Sequence, residues 1–259
     1  MGQVQDKVTI LTGAGDGIGR SMAELFSKEG AKLVLAGRRR EPLEETGKLL
    51  AGEYIVVPTD VTREEDCINL VAETVKRFGH VDILLNNAAQ PGKDHYLWEQ
   101  TLENWNNTIA VDVTGPMLLT RESLKQSMLE RKSGTIVNFS SYAAWNGAQR
   151  KSHYSVAKSG LRLLTKVTAL EAGPYGIRCN CLVPGATTTD LLMRFFDRIG
   201  KEQGVDPQVL QQRAADATAL KELNTPEKIA TWALFLCTDA ASGMTGQSLT
   251  VDAGAVMIG

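Results

Sequence analysis

Tyr154-Ser155-Val156-Ala157-Lys158 sets a phenol and an ammonium four residues apart. On a helix that spacing puts both groups on one face. An unperturbed tyrosine loses its proton only near pH ~10 and is a poor base at neutrality. A positive charge beside it favours the phenolate and draws that value down. Tyr154 is therefore the candidate general acid/base for an alcohol or carbonyl proton, with Lys158 tuning it. His153 adjoins Tyr154 in sequence. Adjacent helical residues point apart, so His153 reads as a neighbour and not as a second base.

Thr12-Gly13-Ala14-Gly15-Asp16-Gly17-Ile18-Gly19 follows an apolar run and opens a helical pattern. Glycine lets a backbone turn tightly and approach a pyrophosphate. The free amides and positive dipole end of the helix that follows suit the same anion. A strand–turn–helix setting at this point makes the glycine run a candidate dinucleotide cradle.

The spacing T-G-x-x-x-G-x-G, together with Tyr154 and Lys158, resembles the short, single-domain branch of the short-chain dehydrogenase/reductase family. The branch includes 3-oxoacyl-ACP reductases and sugar and alcohol dehydrogenases. Ser141 lies thirteen positions before Tyr154, the family's Ser–Tyr spacing. The resemblance implies that Ser141 hydrogen-bonds the substrate oxygen and that Lys158 also binds the nicotinamide ribose. It implies further cofactor contacts from Asp60-Val61 at the adenine and from Asn87, Ala88 and Ala89, where the family's N-N-A-G motif ends in Ala. Pro184-Gly185 with Thr187 and Thr189 resembles the loop that meets the carboxamide. Thr245-Gly246-Gln247 and Val251-Asp252-Ala253-Gly254 resemble the closing strand. Asp112 stands where the family usually has an Asn that holds a relay water. A carboxylate there could hold the same water, or pair with Lys158 and alter the tuning of Tyr154.

The implied activity is hydride transfer between NAD(P)(H) and a secondary alcohol or ketone. NAD enzymes usually carry an acid at the end of strand two. This chain has Ala36-Gly37-Arg38-Arg39-Arg40 there. Arg38 and Arg39 could pair with a 2′-phosphate, which favours NADP(H) over NAD(H). Asp16 and Glu41 weigh the other way. Lys93, His95, Arg150, Lys151, His153 and Arg194 lie in the segments expected to wall the substrate pocket, so the substrate is expected to carry an anionic group. Two rival readings stay open: a cofactor-binding regulatory protein of the same fold, and an isomerase or dehydratase on it.

The elements that must position these groups alternate in type. Strand-like apolar runs fall at 8–11, 32–36, 54–57, 81–85, 135–139, 177–183 and 248–251. Helical spacing falls at 18–28, 42–50, 64–78, 102–130, 154–172 and 226–237, with a possible bend at Gly115-Pro116. Such alternation implies an α/β fold: a single Rossmann-type doubly wound parallel sheet of about seven strands, helices on both faces. One domain spans 1–259, with residues 186–224 as a substrate lid.

The chain has 259 residues, 43% apolar and 22% charged, with a net charge of −2. That balance gives no basic stripe for nucleic acid. No apolar run approaches the ~20 residues that span a bilayer. The N-terminus lacks a secretory pattern, and Cys67, Cys179, Cys181 and Cys237 read as buried, reduced thiols without metal-ligand spacing. A cytoplasmic location is expected. By resemblance the chain is expected to form a homotetramer or dimer through helices around 105–130 and 154–172.

Overall fold

The structure, a computed structural model, describes residues 2–257. Seven parallel strands form one sheet in the order β3-β2-β1-β4-β5-β6-β7. They are β1 (Val8–Thr12), β2 (Lys32–Gly37), β3 (Tyr54–Pro58), β4 (Ile83–Asn86), β5 (Gly134–Phe139), β6 (Ile177–Pro184) and β7 (Ser248–Val251). The chain runs outward from β1 to β3, then reverses at β4. That reversal opens a crevice at the carboxyl ends of β1 and β4, where ligands of such sheets bind.

The inner strands are buried on both faces, as parallel sheets require. Leu33 and Leu35 of β2 enter one core while Val34 and Ala36 enter the other. The first core packs α1 (Gly17–Lys28), through Met22 and Phe26, beside α11 (Pro226–Cys237), through Ile229, Ala233 and Leu236. The second receives Leu70 and Val71 of α3 (Glu64–Phe78), Leu118 and Leu119 of α5 (Gly115–Ser123) and Ala169 of α8 (Ser152–Ala172). The remaining helices are α2 (Arg40–Gly47), α4 (Leu102–Ile109), α6 (Leu129–Arg131), α7 (Ala143–Asn146), α9 (Asp190–Gln203) and α10 (Pro207–Asp216).

The expected elements all form, with shifted ends. The strand expected at 81–85 starts only at Ile83, and the Val81 amide is diverted from the sheet to the Ser127 hydroxyl. The helix expected at 42–50 covers Arg40–Gly47. Helix α8 begins at Ser152, two residues before Tyr154. The stretch 102–131 stays helical through Gly115-Pro116. A π turn at Ala110–Thr114 lies just upstream, where the Gly115 amide reaches back to the Ala110 carbonyl. This turn accommodates the amide that Pro116 lacks. A second π turn covers Leu124–Met128.

Burial pushes the Cys67 and Cys237 thiols up to about 12 and Cys181 to about 11. All four cysteines are free and buried. None of the described helices is long and apolar enough to cross a membrane.

Candidate active site

The cradle is built from β1, the turn after it and the end of β4. The Thr12 hydroxyl accepts hydrogen bonds from the Asn87 and Ala88 amides, both at 3.0 Å, and donates to the Leu85 carbonyl at 3.2 Å. The Asn87 side-chain amide donates to the carbonyls of Thr12 and Gly13 at 2.9 and 3.2 Å. One hydroxyl and one amide thus lock the glycine turn across the crevice. Gly13 takes φ +67°, and a Cβ on Gly19 would sit 1.9 Å from the Gly13 carbonyl oxygen. Only glycine satisfies both positions. Arg20 pins the turn from behind, donating to the Gly15 carbonyl at 2.7 Å.

Helix α1 starts at Gly17 with no side-chain cap and no acid in its first turn. Its first amides therefore remain available to an anion at Gly17, Ile18 and Gly19. The adjoining cleft is lined by Gly13, Gly15, Asp16, Arg38, Arg39, Asp60, Val61, Ala88 and Ala89. Nine residues expected to bind cofactor are thus brought together. Asp60 fixes its turn by accepting from the Thr62 amide and hydroxyl. Burial alone would raise its carboxyl, but the bonds from Thr62 and the charges of Arg38 and Arg63 hold it below the usual range. Arg39 and Asp16 stand 4.0 Å apart, both well exposed. The Thr189 methyl would lie 3.2 Å from a Cβ added at Gly17, and the Thr189 hydroxyl caps α9 at Leu192. Thr187 donates to the Gly185 carbonyl, and the Gly185 amide donates to Val251. Pro184 ends β6 and accepts from the Tyr142 amide.

Ser141 follows β5, while Tyr154 and Lys158 stand on α8. Lys158 is 1% exposed. Its ammonium donates to the Phe139 carbonyl at 2.9 Å and lies 5.5 Å from the Tyr154 ring centre. Its charge partner is Asp112, 3.3 Å away and fully buried. The Asp112 Oδ1 accepts from the Gln90 amide at 2.6 Å. Oδ2, which faces Lys158, makes no well-directed hydrogen bond, so the contact is a Coulombic pair. Of the two roles open to a carboxylate at this position, the structure shows the pairing.

That pairing alters the tuning. Burial raises the Tyr154 phenol, Lys158 lowers it, Asp112 raises it again, and the net direction is upward. Lys158 draws the phenol down, as expected, but burial and the Asp112 charge together outweigh the ammonium. Burial likewise pushes the Asp112 carboxyl up. Burial would lower the Lys158 ammonium, but Asp112 and Tyr154 outweigh it and hold it above its ordinary value.

His153 is a neighbour, as expected. It is fully buried, with one ring nitrogen on the Pro91 carbonyl at 3.0 Å and the other on Gln100 at 2.7 Å. Half of the cations expected to meet an anionic substrate, Arg150, Lys151 and His153, are engaged elsewhere. Lys151 pairs with Asp94 at 3.1 Å, and Arg150 reaches the Asp94 carbonyl and stacks over Tyr96. Three contributors escaped the sequence reading. Thr12 acts through its hydroxyl on the Asn87 and Ala88 amides, Gln90 through its own backbone amide, and Asp94 gathers cations from distant segments. Only Thr12 carried a signal, as the last residue of an apolar run before the glycines.

Comparisons with known proteins agree with this geometry. The family described as Enoyl-(Acyl carrier protein) reductase matches residues 13–256. The short chain dehydrogenase/reductase astE of Aspergillus oryzae is 35% identical over 263 residues, covering 98% of this chain and 97% of its own. The 2,5-dichloro-2,5-cyclohexadiene-1,4-diol dehydrogenase of Sphingobium indicum is 34% identical, with 98% of each chain covered. The crystal structure of levodione reductase superposes with a TM-score of 0.91 at 30% identity, covering 96% of this chain and 97% of that one. With the cradle, the sheet order and these relatives in agreement, the chain belongs to the short-chain dehydrogenase/reductase family of NAD(P)-dependent oxidoreductases.

Proposed function

We propose that this enzyme transfers a hydride between NADP(H), in preference to NAD(H), and a secondary alcohol or ketone, with Tyr154 as the general acid/base. The observation that carries the reading is the grouping of Ser141 and a buried Lys158 about Tyr154, with Lys158 linked through Asp112 to Gln90 on the wall of the cleft beside the glycine cradle.

The cradle amides from Gly13 to Gly19 would hold the pyrophosphate, Asp60 and Val61 the adenine, and Arg38 and Arg39 a 2′-phosphate. Asn87, Ala88, Ala89, Pro184, Gly185, Thr187 and Thr189 would flank the nicotinamide end. Bound there, the dinucleotide supplies the hydride donor or acceptor. Ser141 donates a hydrogen bond to the substrate oxygen and steadies the charge that develops on it. In reduction Tyr154 gives its hydroxyl proton to that oxygen, and in oxidation it takes the proton back. Lys158 stabilises the phenolate left behind and is positioned for the ribose hydroxyls.

The dehydrogenase of Sphingobium acts, by its name, on a cyclic diol. Cyclic diols and ketones therefore join the simple secondary alcohols as test substrates. An anionic group on the substrate draws support from Lys93, His95 and Arg194 only, since Lys151, Arg150 and His153 are engaged elsewhere. Self-association through α8 and a cytoplasmic setting complete the proposal. The rival reading, a cofactor binder without chemistry, is favoured by one feature, the Asp112 charge beside Lys158.

The test is turnover of this panel with NADPH and with NADH, followed by the absorbance of the reduced nicotinamide. Preference for NADPH that falls about tenfold or more in Arg38→Ala, with NADH turnover unchanged, is expected from loss of a charge-assisted phosphate contact. Equal use of both cofactors by the parent protein would overturn the NADP(H) assignment.

A further inference from the structure

The acidic residue that gathers the cations around the substrate side is Asp94, and it belongs to no motif of the catalytic machinery. Its side chain is 13% exposed. One carboxylate oxygen meets the Lys151 ammonium at 3.1 Å, and the other meets the Arg198 guanidinium at 2.9 Å. The three residues come from three different segments. Asp94 lies in the loop after β4, Lys151 immediately precedes α8, and Arg198 stands on α9. The first two segments are already joined by backbone, since the His95 amide donates to the Arg150 carbonyl at 2.9 Å. The Asp94 carboxylate extends that junction to the third. Phe195 of α9 packs against the same cations, 5.6 Å from the Lys151 ammonium and 5.3 Å from the Arg198 guanidinium. Glu202 meets the other terminal nitrogen of the Arg198 guanidinium at 3.1 Å.

The two ends of this contact matter because of where α9 runs. It starts beside the cradle, where a Cβ added at Gly17 would come within 3.2 Å of the Thr189 methyl. Two to three turns later it reaches Asp94 and Lys151, and Lys151 lies three residues before Tyr154. A helix rises ~1.5 Å per residue, so the stretch from Thr189 to Arg198 bridges on the order of 13 Å between the cradle and the catalytic helix. Exchange of a substrate or cofactor under it requires the helix to lift from one of these anchors. Its N-terminal end is tied by backbone hydrogen bonds of Ala186 and Thr188 with Asn224, and its far end by the Asp94 carboxylate on Arg198 together with Phe195 against Lys151.

Resting on the oxidoreductase reading above, we propose that Asp94 is a positioning residue that latches the α9 lid to the catalytic helix, closing the substrate site through its paired contacts with Lys151 and Arg198. An isolated exposed pair contributes little, but here one largely shielded carboxylate serves two cations, both of which also lie over the Phe195 ring. Opening breaks the Arg198 contact while the Lys151 contact keeps the loop in place. The latch therefore acts on substrate capture and release, and leaves the proton chemistry at Tyr154 untouched.

The test uses the full chain with Asp94→Asn and Arg198→Gln, the second being an exposed change that spares the loops. The first readout is amide hydrogen exchange of 190–216 without substrate, with α3 as the internal reference. The second is KM against kcat for a substrate from the panel at low and high salt. Both variants are expected to speed exchange in α9 and raise KM about three- to tenfold with kcat held or increased, the size of a small charge network. Salt should raise KM of the parent protein and leave the variants nearly flat. Exchange of α9 equal to the parent in both variants overturns the latch, as does a fall in kcat with unchanged KM. If no panel substrate turns over, the oxidoreductase reading fails, and the exchange data still decide the latch.

Discussion

At the residue scale, the balance among Tyr154, Lys158 and Asp112 sets the pH at which the site can exchange a proton. The groups facing the phenol are Lys158 on its own helix, Asp112 from the π turn, and Ser141 and Tyr142 after β5. Lys158 and the Ser141 hydrogen bond lower it, whereas burial, Asp112 and Tyr142 raise it. Asp112→Asn keeps the shape of the side chain and removes one raising charge. The phenol then ionises at lower pH. In the oxidation direction the rising limb of the pH–kcat profile should move down by about one unit, the ordinary size of a single close charge. An unmoved limb would mean that Lys158 and burial alone govern Tyr154. Tyr154, Lys158 and the glycines were legible because local spacing on one helix or one turn carries their chemistry. Asp94 was not, since it meets Arg198 across 104 residues of sequence. The upward shift of Tyr154 was illegible for a related reason. It depends on how deeply Asp112 and Lys158 are buried, which no spacing reports.

At the element scale, α8 carries both the chemistry and a second surface. Its buried side presents Ala157, Leu161, Thr165 and Ala169 to the sheet. Its outer side presents Val156, Leu163, Val167 and Leu170, exposed by 49%, 63%, 41% and 78%. At ~100° per residue these four form one stripe nearly opposite the core. A helix apolar on two sides has two partners, and the proposed second partner is another copy of this chain. Each leucine buried there contributes roughly 1.5–3 kcal/mol. Leu163→Glu with Leu170→Glu should convert the parent oligomer to a smaller species in sedimentation velocity while leaving the fold intact. A parent that sediments as a monomer would remove the proposal. Element types were readable from hydrophobic period, while ends and π turns were not. The start of β4, for example, depends on Ser127, 46 residues from Val81. The π turn at Ala110–Thr114 depends on a proline that suggested a bend and is absorbed without a break.

At the scale of the whole molecule, the reversal of strand order between β1 and β4 makes the site possible. It parts the connections on either side and leaves the carboxyl ends of those strands open. Thr12 and Asn87 then close the gap by hydrogen bonds, so the phosphate cradle is fixed before any ligand arrives. From that fixed edge α9 bridges to the catalytic helix, and Asp94 holds the far end. A doubly wound parallel sheet of about seven strands was implied by the alternation of strands and helices together with the resemblance. The closure over the site was anticipated only as a lid of unstated contacts, because the contacts join segments far apart in the chain.

The most direct measurement compares Tyr154→Phe with the parent protein, reading cofactor binding by nicotinamide fluorescence and turnover on the alcohol and ketone panel. Removing one hydroxyl leaves the cradle untouched. The expected result is unchanged binding with turnover reduced by about 10²-fold or more, the scale of a lost general acid/base. Turnover that survives in Tyr154→Phe would contradict the central assignment and place the proton exchange on another group.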